Sequence, residues 1–551
     1  MRTTFTAALM TSVLLAGGLP EGSPVRTATA GAYFTRLRGN EALGLNPANL
    51  GYSERFPVGD LTRGTSDHLS REDEATGAAT ALADHYSVQL MASPNRRLVR
   101  RIKQAFQRQY GRAIPAAIMV VDSLYKLRVG DFADRERAET FRESLVAAGY
   151  SDAWIVTEDH PLAAAGAGPH FTMTLTGVSL DAGNNAIYPS WINQQLYGGL
   201  DLREPGKKDD FLSVFPDDVW NLNLIASMRS LSFSVDNFGM SIIAPRVMST
   251  VHLPTALMDV LFRGVRFDQP RDLSDLHMNL LAAAPISVAY GRQLRWPWLA
   301  GTVDQLYAGA GVNLLLGLAD AHLTADELYV ITTVDSTLIA GRTRVVSNAD
   351  RESSSFHALG VGLSVDLGMV AEITPQLGIS VALKDLFGHI VWPERYTTVN
   401  EFSFRLSSED IENIAGDYEE QLDSLKDSYA ESDTTYAIGS GRTVYPSQFI
   451  LGASCQVSPE LTVDAAFIHY LDNDYLEYAA PQLSLGIEYL PSPAFPVYAG
   501  IGLGGRDGIK WGTGFGLSMG SFQWLLGFGQ QGGVFNSAKG VRFSTEFRLV
   551  F

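Results

Sequence analysis

The sequence predicts a mainly β fold: an antiparallel β-barrel of about 14 strands, with an inserted α+β unit of the ferredoxin-like order βαββαβ. Three observations lead to this prediction. The final strand alternates apolar and polar side chains, similar segments precede it at short intervals, and residues 84–158 show helical periodicity twice.

The N-terminus has the pattern of a secretory signal. Arg2 supplies an early positive charge, and residues 5–19 are apolar, small or hydroxyl-bearing, a stretch too short to span a bilayer stably. Ala28-Thr29-Ala30 fits the small-x-small pattern of a cleavage site. We therefore predict that residues 1–30 are a signal peptide, cut after Ala30, and that the chain is exported.

The composition limits how this chain can meet a membrane. No run of about 18 apolar residues follows the signal, although 46% of the residues are hydrophobic, so any contact with lipid must be made by strands. The formal net charge of −18 argues against a nucleic-acid-binding surface. A single cysteine argues against a disulfide framework.

The C-terminal strand gives the sharpest evidence for a barrel. One set of alternate residues is mostly aromatic or aliphatic: Val541, Phe543, Thr545, Phe547, Leu549 and Phe551. The other set is polar: Arg542, Ser544, Glu546 and Arg548. A period of two places each set on one face of a strand, which suits a wall with lipid outside and water or a polar plug inside. The alternative is a soluble all-β domain.

The end of the chain also resembles the C-terminal signal of outer-membrane barrels, which ends in an aromatic residue that the barrel assembly machinery recognises. Phe551 is that residue here. The resemblance implies an outer-membrane location, with membrane lipid and the assembly machinery as partners. From His170 onward we count about 14 strands of roughly 10 residues, with 12 and 16 left open. Two intervening segments, Pro254 to Val265 and Ser407 to Tyr429, are predicted to be helical.

Residues 84–158 differ from the barrel because they carry more positive than negative charge. Their predicted order is strand, helix, strand, strand, helix, strand. The elements are Tyr86–Met91, Arg96–Tyr110, Ala113–Val121, Leu124–Val129, Asp134–Ala148 and Ala153–Val156.

This segment resembles the sporulation-related repeat (SPOR) domain. The resemblance rests on Tyr86-Ser87-Val88-Gln89-Leu90, on Leu124 to Phe132, on Asp134 with Ala138, and on Ala147-Ala148-Gly149-Tyr150 before Ala153-Trp154-Ile155-Val156. It implies binding of peptidoglycan, preferentially glycan strands stripped of their stem peptides. The family usually continues after Leu90 with Gly, Ser and Phe, whereas Met91, Ala92 and Ser93 stand here.

Alternation along the strands predicts the binding face. Val88, Leu90, Leu127 and Val129 are expected to face the helices, which leaves five residues on the open sheet as the peptidoglycan-binding set: Ser87, Gln89, Lys126, Arg128 and Trp154. Amide and guanidinium donors suit glycan hydroxyl and acetamido groups, and an indole suits a sugar ring. The alternative is that these are ordinary solvated sheet residues. An RNA-binding domain of the same fold is disfavoured in an exported chain.

Residues 28–51 resemble the N-terminal segment of barrels similar to the long-chain fatty acid transporters, where an Asn-Pro-Ala turn, here Asn46-Pro47-Ala48, belongs to a hatch inside the lumen. The alternative is a plain N-terminal loop. The region from 170 onward also resembles uncharacterised barrels of this group, in which a stretch like Leu180 to Asn185 follows the opening strand. The expected organisation is signal peptide 1–30, hatch-like segment 31–64, linker 65–83, SPOR domain 84–158, linker 159–169 and barrel 170–551.

No pattern in the sequence marks an enzyme. The histidines lack metal-ligand spacing, and no acid and base pair or nucleophile motif is recognisable, so we predict no catalytic residue, no metal and no cofactor. Peptidoglycan hydrolysis is the weakest of three functions. The preferred one is an outer-membrane barrel whose periplasmic SPOR domain binds peptidoglycan and links or localises the barrel to the wall. The alternative is a hatch-bearing transporter of a hydrophobic or small solute, which the SPOR domain only localises.

Overall fold

The computed structural model describes residues 23–54, 85–158, 171–197, 206–294, 303–349, 359–407, 429–472 and 480–551, apart from positions 38, 94–95, 111–115, 122–123, 133–134, 151, 266, 375, 459 and 493. The chain divides into two units: Met1–Tyr52 with Phe171–Phe551, and Ser53–His170. The predicted linkers and residues 408–428 of the predicted second helix lie outside the described residues, as do residues 1–22.

The N-terminal segment contains helix α1 (Pro24–Ala28) and two 3-10 turns, η1 (Gly39–Ala42) and η2 (Pro47–Glu54). The side chain of Asn46 accepts a hydrogen bond from the backbone N–H of Ala48 at 3.1 Å. The Asn-Pro-Ala stretch is therefore held as a turn by its own asparagine.

The second unit has the predicted βαββαβ order. Its elements are β1 (His85–Ser93), α2 (Arg96–Tyr110), β2 (Ala116–Val121), β3 (Leu124–Phe132), α3 (Arg135–Ala147) and β4 (Trp154–Glu158). The sheet order is β2-β3-β1-β4, and all pairs are antiparallel. Because β1 and β4 are neighbours, the unit begins and ends at the same place. A host chain can accept such an insertion without being stretched.

Helices α2 and α3 cover one face of this sheet. Their core contains Val99, Phe106 and Leu145 from the helices together with Val88, Leu90, Leu127 and Val129 from the strands. The predicted apolar face is confirmed. The unit therefore has a hydrophobic core of its own.

The first unit is built from the remaining strands. In chain order these are β5 (Phe171–Asn184), β6 (Val219–Val235), β7 (Phe238–Ile243), β8 (Arg246–Pro254), β9 (Arg271–Asp272), β10 (His277–Leu294), β11 (Gln305–Thr332), β12 (Ser336–Ser347), β13 (Gly360–Glu372), β14 (Leu377–Ser407), β15 (Tyr429–Val444), β16 (Gln448–Gln456), β17 (Leu461–Tyr470), β18 (Gln482–Ser492), β19 (Phe495–Gly504), β20 (Ile509–Met519), β21 (Phe522–Gln531) and β22 (Gly540–Val550). The helices among its described residues after Phe171 are α4 (Pro189–Tyr197), α5 (Lys207–Leu212), α6 (Thr255–Arg263) and the 3-10 turn η3 (Phe535–Ser537). Helix α6 confirms the predicted helix between 254 and 265.

These strands close into an antiparallel barrel of 14, as predicted. Three pairs of segments, β7 with β8, β12 with β13 and β15 with β16, each act as one interrupted strand, and β9 is a short addition. The ring closes where β22 pairs with β5 along its whole length. At that seam the backbones of Phe171 and Phe551 exchange two hydrogen bonds, of 3.2 and 2.9 Å.

Two strands are far longer than a membrane strand requires. β11 has 28 residues and β14 has 31, against about 10 for a tilted strand that crosses a bilayer. Their distal halves pair with β12 and β15, which gives a four-stranded extension in the order β11-β12-β14-β15. Among the described residues, none of the helices has the length and apolarity to cross a membrane.

The two faces of the barrel wall differ as the sequence predicts. On β22, Val541 and Phe543 are exposed, whereas Arg542, Ser544, Glu546 and Arg548 are buried. On β18, Leu483, Leu485 and Ile487 are exposed, whereas Ser484 and Glu488 are buried. The outer face is therefore apolar and the inner face polar.

The N-terminal segment lies against that inner face. Helix α1 contacts β19 to β22, and η1 contacts β5 to β7. The carbonyl of Ala30 accepts hydrogen bonds from Gln482 at 2.9 Å and Ser484 at 2.8 Å, two side chains that point inward. Side chains on Gly309 and Gly368 would clash with Pro47 and Asn46, so the wall is glycine-rich where this backbone approaches closely. The segment occupies the lumen.

The stretch from Leu180 to Asn185 ends β5 and fixes the loop that follows. Asn184 donates to the carbonyl of Lys539 at 2.8 Å, which joins β5 to the loop before β22. Asn185 donates to the carbonyl of Val219 at 3.0 Å and accepts from the N–H of Asn221 at 2.9 Å, which joins it to β6. The side chains of the two asparagines therefore join the end of β5 to the neighbouring backbone by hydrogen bonds.

The position of α1 leads to a prediction about processing. Cleavage after Ala30 would remove α1, although Val25, Thr27 and Ala28 are buried against the barrel. We expect instead that the signal is cut before Ser23 and that α1 remains in the mature protein. N-terminal sequencing of the protein purified from membranes measures this directly, and a mature N-terminus at Gly31 would contradict it.

Candidate functional site

The predicted binding residues of the inserted unit meet in one row across the sheet. Strand β1 lies between β3 and β4, and Gln89 is directly opposite both Arg128 on β3 and Trp154 on β4. Lys126 is two residues before Arg128 on the same strand, and Ser87 is two residues before Gln89. An antiparallel sheet places directly opposed residues on the same face. The five residues therefore share one face, with Gln89 at its centre.

The expectation that all five are open to solvent was wrong. Trp154 is 47% exposed and Lys126 is partly exposed, but Ser87 and Gln89 are buried and Arg128 is 9% exposed. Gln89 is flanked by the larger side chains of Arg128 and Trp154, whereas Trp154 lies on the edge strand β4. The accessible part of the face is thus formed by Trp154 and Lys126.

The departure from the family pattern after Leu90 has a structural counterpart. The register between β1 and β3 shifts between Gln89 and Met91, and the strand then continues through Ala92 and Ser93, opposite Lys126 and Tyr125. Such a bulge turns the side chains that follow it. The irregularity lies next to the row of Gln89, Arg128 and Trp154.

The chemistry of this row suits a ligand rich in hydroxyl and amide groups. The Nε2 of Gln89 is buried, and among the described residues it has no hydrogen-bond acceptor. A buried donor of this kind favours a ligand oxygen, since leaving it unsatisfied costs about 1 to 3 kcal/mol. Trp154 adds an exposed indole beside it.

The lumen of the barrel holds a second candidate site, where ion pairs fasten the N-terminal segment. Arg36 binds Asp464 on β17 at 2.8 Å and Glu488 on β18 at 2.6 Å, and its guanidinium lies 5.3 Å from the ring of Tyr33. Burial alone would lower the pKa of Arg36, but the two carboxylates outweigh it and raise that pKa. Arg36 is therefore charged at any physiological pH.

A second attachment joins the same segment to the seam strands. Glu41 binds Arg548 on β22 at 2.6 Å, and Arg548 also donates to Gln523 at 2.7 Å. The backbone N–H of Asn40 donates to Thr172 on β5 at 2.8 Å. Sequence reasoning missed Arg36 and Glu41, because single charges in a segment of small residues carry no motif. Within the described ranges, no cluster of His, Cys, Asp and Glu could hold a metal ion.

Two family models match the chain, one in each unit. Residues 163–529 match the model of a family of unknown function, DUF5723, and residues 82–157 match the SPOR domain. No curated protein matches the chain.

Several solved structures are similar to part of this chain. The Pseudomonas putida toluene transporter TodX is 9% identical over 69% of this chain and 90% of its own, with a TM-score of 0.35. The Ralstonia pickettii toluene transporter TbuX is 10% identical over 69% and 89%, with a TM-score of 0.34. A Pseudomonas aeruginosa FadL homologue is 12% identical over 69% and 89%, with a TM-score of 0.32.

The ion pairs of Arg36 predict how the N-terminal segment is held. Arg36→Met leaves Asp464 and Glu488 buried without their cation, a change that costs about 3 to 5 kcal/mol when one partner of a buried pair is removed. We expect a lower thermal unfolding midpoint in detergent. We also expect a higher conductance in planar bilayers, because the segment is released from the lumen.

Arg342→Met is the matched control for this substitution. Arg342 pairs with Glu401, and both side chains are about half exposed, so their loss is worth at most about 1 kcal/mol. An Arg36→Met variant with the midpoint and conductance of the wild type would show that these ion pairs do not hold the segment.

Proposed function

This chain belongs to the DUF5723 family, and we propose that it is an outer-membrane barrel that binds peptidoglycan glycan strands through its inserted SPOR domain, which links or localises the barrel to the cell wall. The observation that carries the proposal is the presence of both units in one chain: a closed barrel with an apolar outer face, and a βαββαβ unit that matches the SPOR model. The family itself has no known function, so the proposal comes from the site.

The glycan-binding residues proposed are Gln89, Arg128 and Trp154, with Ser87 and Lys126 beside them. Gln89 offers a buried donor, Arg128 a guanidinium in the same row, and Trp154 an exposed ring. Polar donors next to an aromatic surface suit a sugar, because its hydroxyls need partners and its C–H faces pack on an indole.

The loop lengths support a periplasmic position for the inserted domain. Turns at the end of the barrel that holds Phe171 and Phe551 are short, such as 236–237, 457–460 and 520–521. Connections at the opposite end are longer, such as 185–218 and 408–428. Outer-membrane barrels have short periplasmic turns and long external loops. The insertion joins the barrel just before Phe171, and therefore at the periplasmic end.

We propose that the lipid of the outer membrane and the barrel assembly machinery are further partners of the barrel. The exposed leucines, isoleucines and aromatic residues of the outer face suit the lipid of the outer membrane. Phe551, which is 61% exposed at the end of β22, suits recognition by the barrel assembly machinery.

The alternative function is transport by a barrel with a hatch, in which the SPOR domain only localises the protein. The observation that favours it is the N-terminal segment held inside the lumen by hydrogen bonds and ion pairs. Because the inner face is polar, a small polar solute suits this lumen better than a hydrophobic one.

The inserted domain can be tested alone because all residues of its hydrophobic core lie within the domain. We expect residues 80–160 to sediment with peptidoglycan sacculi, and to do so more strongly after an amidase has removed the stem peptides. Sedimentation with neither preparation would reject the wall-binding function and leave transport.

Trp154→Ala tests the site itself. Because it removes an exposed ring next to Gln89, we expect at least about tenfold weaker binding to stripped sacculi with the fold unchanged, as circular dichroism can verify. Val146→Ala is the matched control, since Val146 is 42% exposed on α3 and lies on a helix, outside the binding sheet. Equal binding by the two variants would reject Trp154 as a contact residue.

A further inference from the structure

An internal cavity of about 50 Å³ lies in the barrel unit, beside Leu43 and Gly44 of the N-terminal segment. Polar side chains from several strands line it: Ser241 on β7, Arg246 on β8, Asn313 on β11, Lys384 and Asp385 on β14, and Tyr445 just after β15. All six are at most 4% exposed.

Arg246 is the feature of this cavity that points to a ligand. Its guanidinium lies 5.4 Å from the ring centre of Tyr445, its Nε makes no hydrogen bond, and no carboxylate pairs with it in the part of the chain that the structure describes. Seven other cations of this unit have a carboxylate within 3.5 Å, namely Arg36, Lys384, Arg395, Arg506, Lys510, Arg542 and Arg548. A buried cation without a counter-charge is costly, so it favours an anion from outside.

The carboxylates near the cavity are already engaged, including Glu546, which lines it and accepts a hydrogen bond from Thr174 at 2.6 Å. Asp385 accepts from Ser364 at 2.9 Å and from Asn313 at 3.2 Å, and Asp366 accepts from Asn313 at 3.0 Å and from the backbone N–H of Asp385 at 2.8 Å. These contacts fix the orientation of the Asn313 amide, because its NH₂ group faces the acids.

Two further polar atoms of the cavity lining remain available to a ligand. The Oδ1 of Asn313 and the Oγ of Ser241 are buried and have no hydrogen-bond partner among the residues described. Together with Arg246 they present a planar cation, a hydroxyl and one acceptor. Guanidinium groups bind carboxylates through two parallel hydrogen bonds.

We propose that this cavity binds a small carboxylate, whose oxygens accept hydrogen bonds from the guanidinium of Arg246 and the hydroxyl of Ser241. A water molecule needs about 10 to 15 Å³ of such volume, so the cavity admits a solute of about four non-hydrogen atoms. Acetate has that size and charge. The site is independent of peptidoglycan binding, and in a transporting barrel it would select small anionic solutes.

The test uses the full chain in detergent and acetate as the probe. Sodium acetate is titrated at constant ionic strength, and binding is followed by the line width of ¹³C-labelled acetate. Acetamide, a neutral molecule of nearly the same shape, is the matched probe. We expect saturable broadening with acetate and none with acetamide.

Two variants locate the binding. Arg246→Gln removes the charge and should weaken acetate binding by about tenfold or more, whereas Arg342→Gln, on the exposed extension, should leave it unchanged. Ser241→Ala removes only a hydroxyl and should weaken binding by a smaller factor, which keeps the test open if Arg246→Gln does not fold. Absence of binding by the wild type, equal binding of acetamide, or acetate binding that both cavity substitutions leave unchanged would overturn the proposal.

Discussion

Closure of the ring between β22 and β5 is the constraint on which the rest of the barrel depends. A strand edge left open in hydrocarbon exposes backbone groups that cost several kcal/mol each. The pairing of β22 with β5 from Gly540 to Val550 satisfies them, and the two hydrogen bonds between Phe171 and Phe551 complete the seam. Closure also fixes which face of each strand points inward. The polar interior is therefore a consequence of the apolar exterior, not a separate feature.

The polar and charged side chains of the interior need hydrogen-bonding and ionic partners, and the N-terminal segment supplies many of them. Arg36 and Glu41 neutralise charges that the wall turns inward, and glycines such as Gly309 and Gly368 admit the backbone of the Asn-Pro-Ala turn. Buried ion pairs add little net stability over apolar packing, but they define one arrangement. The segment is consequently held in a single register against strands from both sides of the seam.

Much of the fold could be predicted from the sequence, because each element has a local signature. The alternation in β22, the helix α6 and the six elements of the inserted unit depend on periodicity within a few residues, and all were confirmed. The candidate sites were harder to predict from the sequence. The row of Gln89, Arg128 and Trp154 depends on the placement of β1 between β3 and β4. The contacts of Arg36 depend on strands more than 400 residues away in the chain. The lack of a carboxylate partner for Arg246 depends on the hydrogen bonds that Asp366 and Asp385 make to other groups. None of these relations leaves a local pattern.

The contacts between the two ends of the chain have a consequence for how the molecule folds. Thr27 and Ser544 are joined by a hydrogen bond although 517 residues separate them, and Arg36 reaches Glu488 across 452. Contacts at such separation are late and slow to form, since the chain entropy of the whole intervening loop must be lost first. The beginning of the chain can settle only when the final strands exist. Docking of the N-terminal segment and sealing of the wall are thus one cooperative step, and an incomplete chain would lack the surface on which its own first residues come to rest.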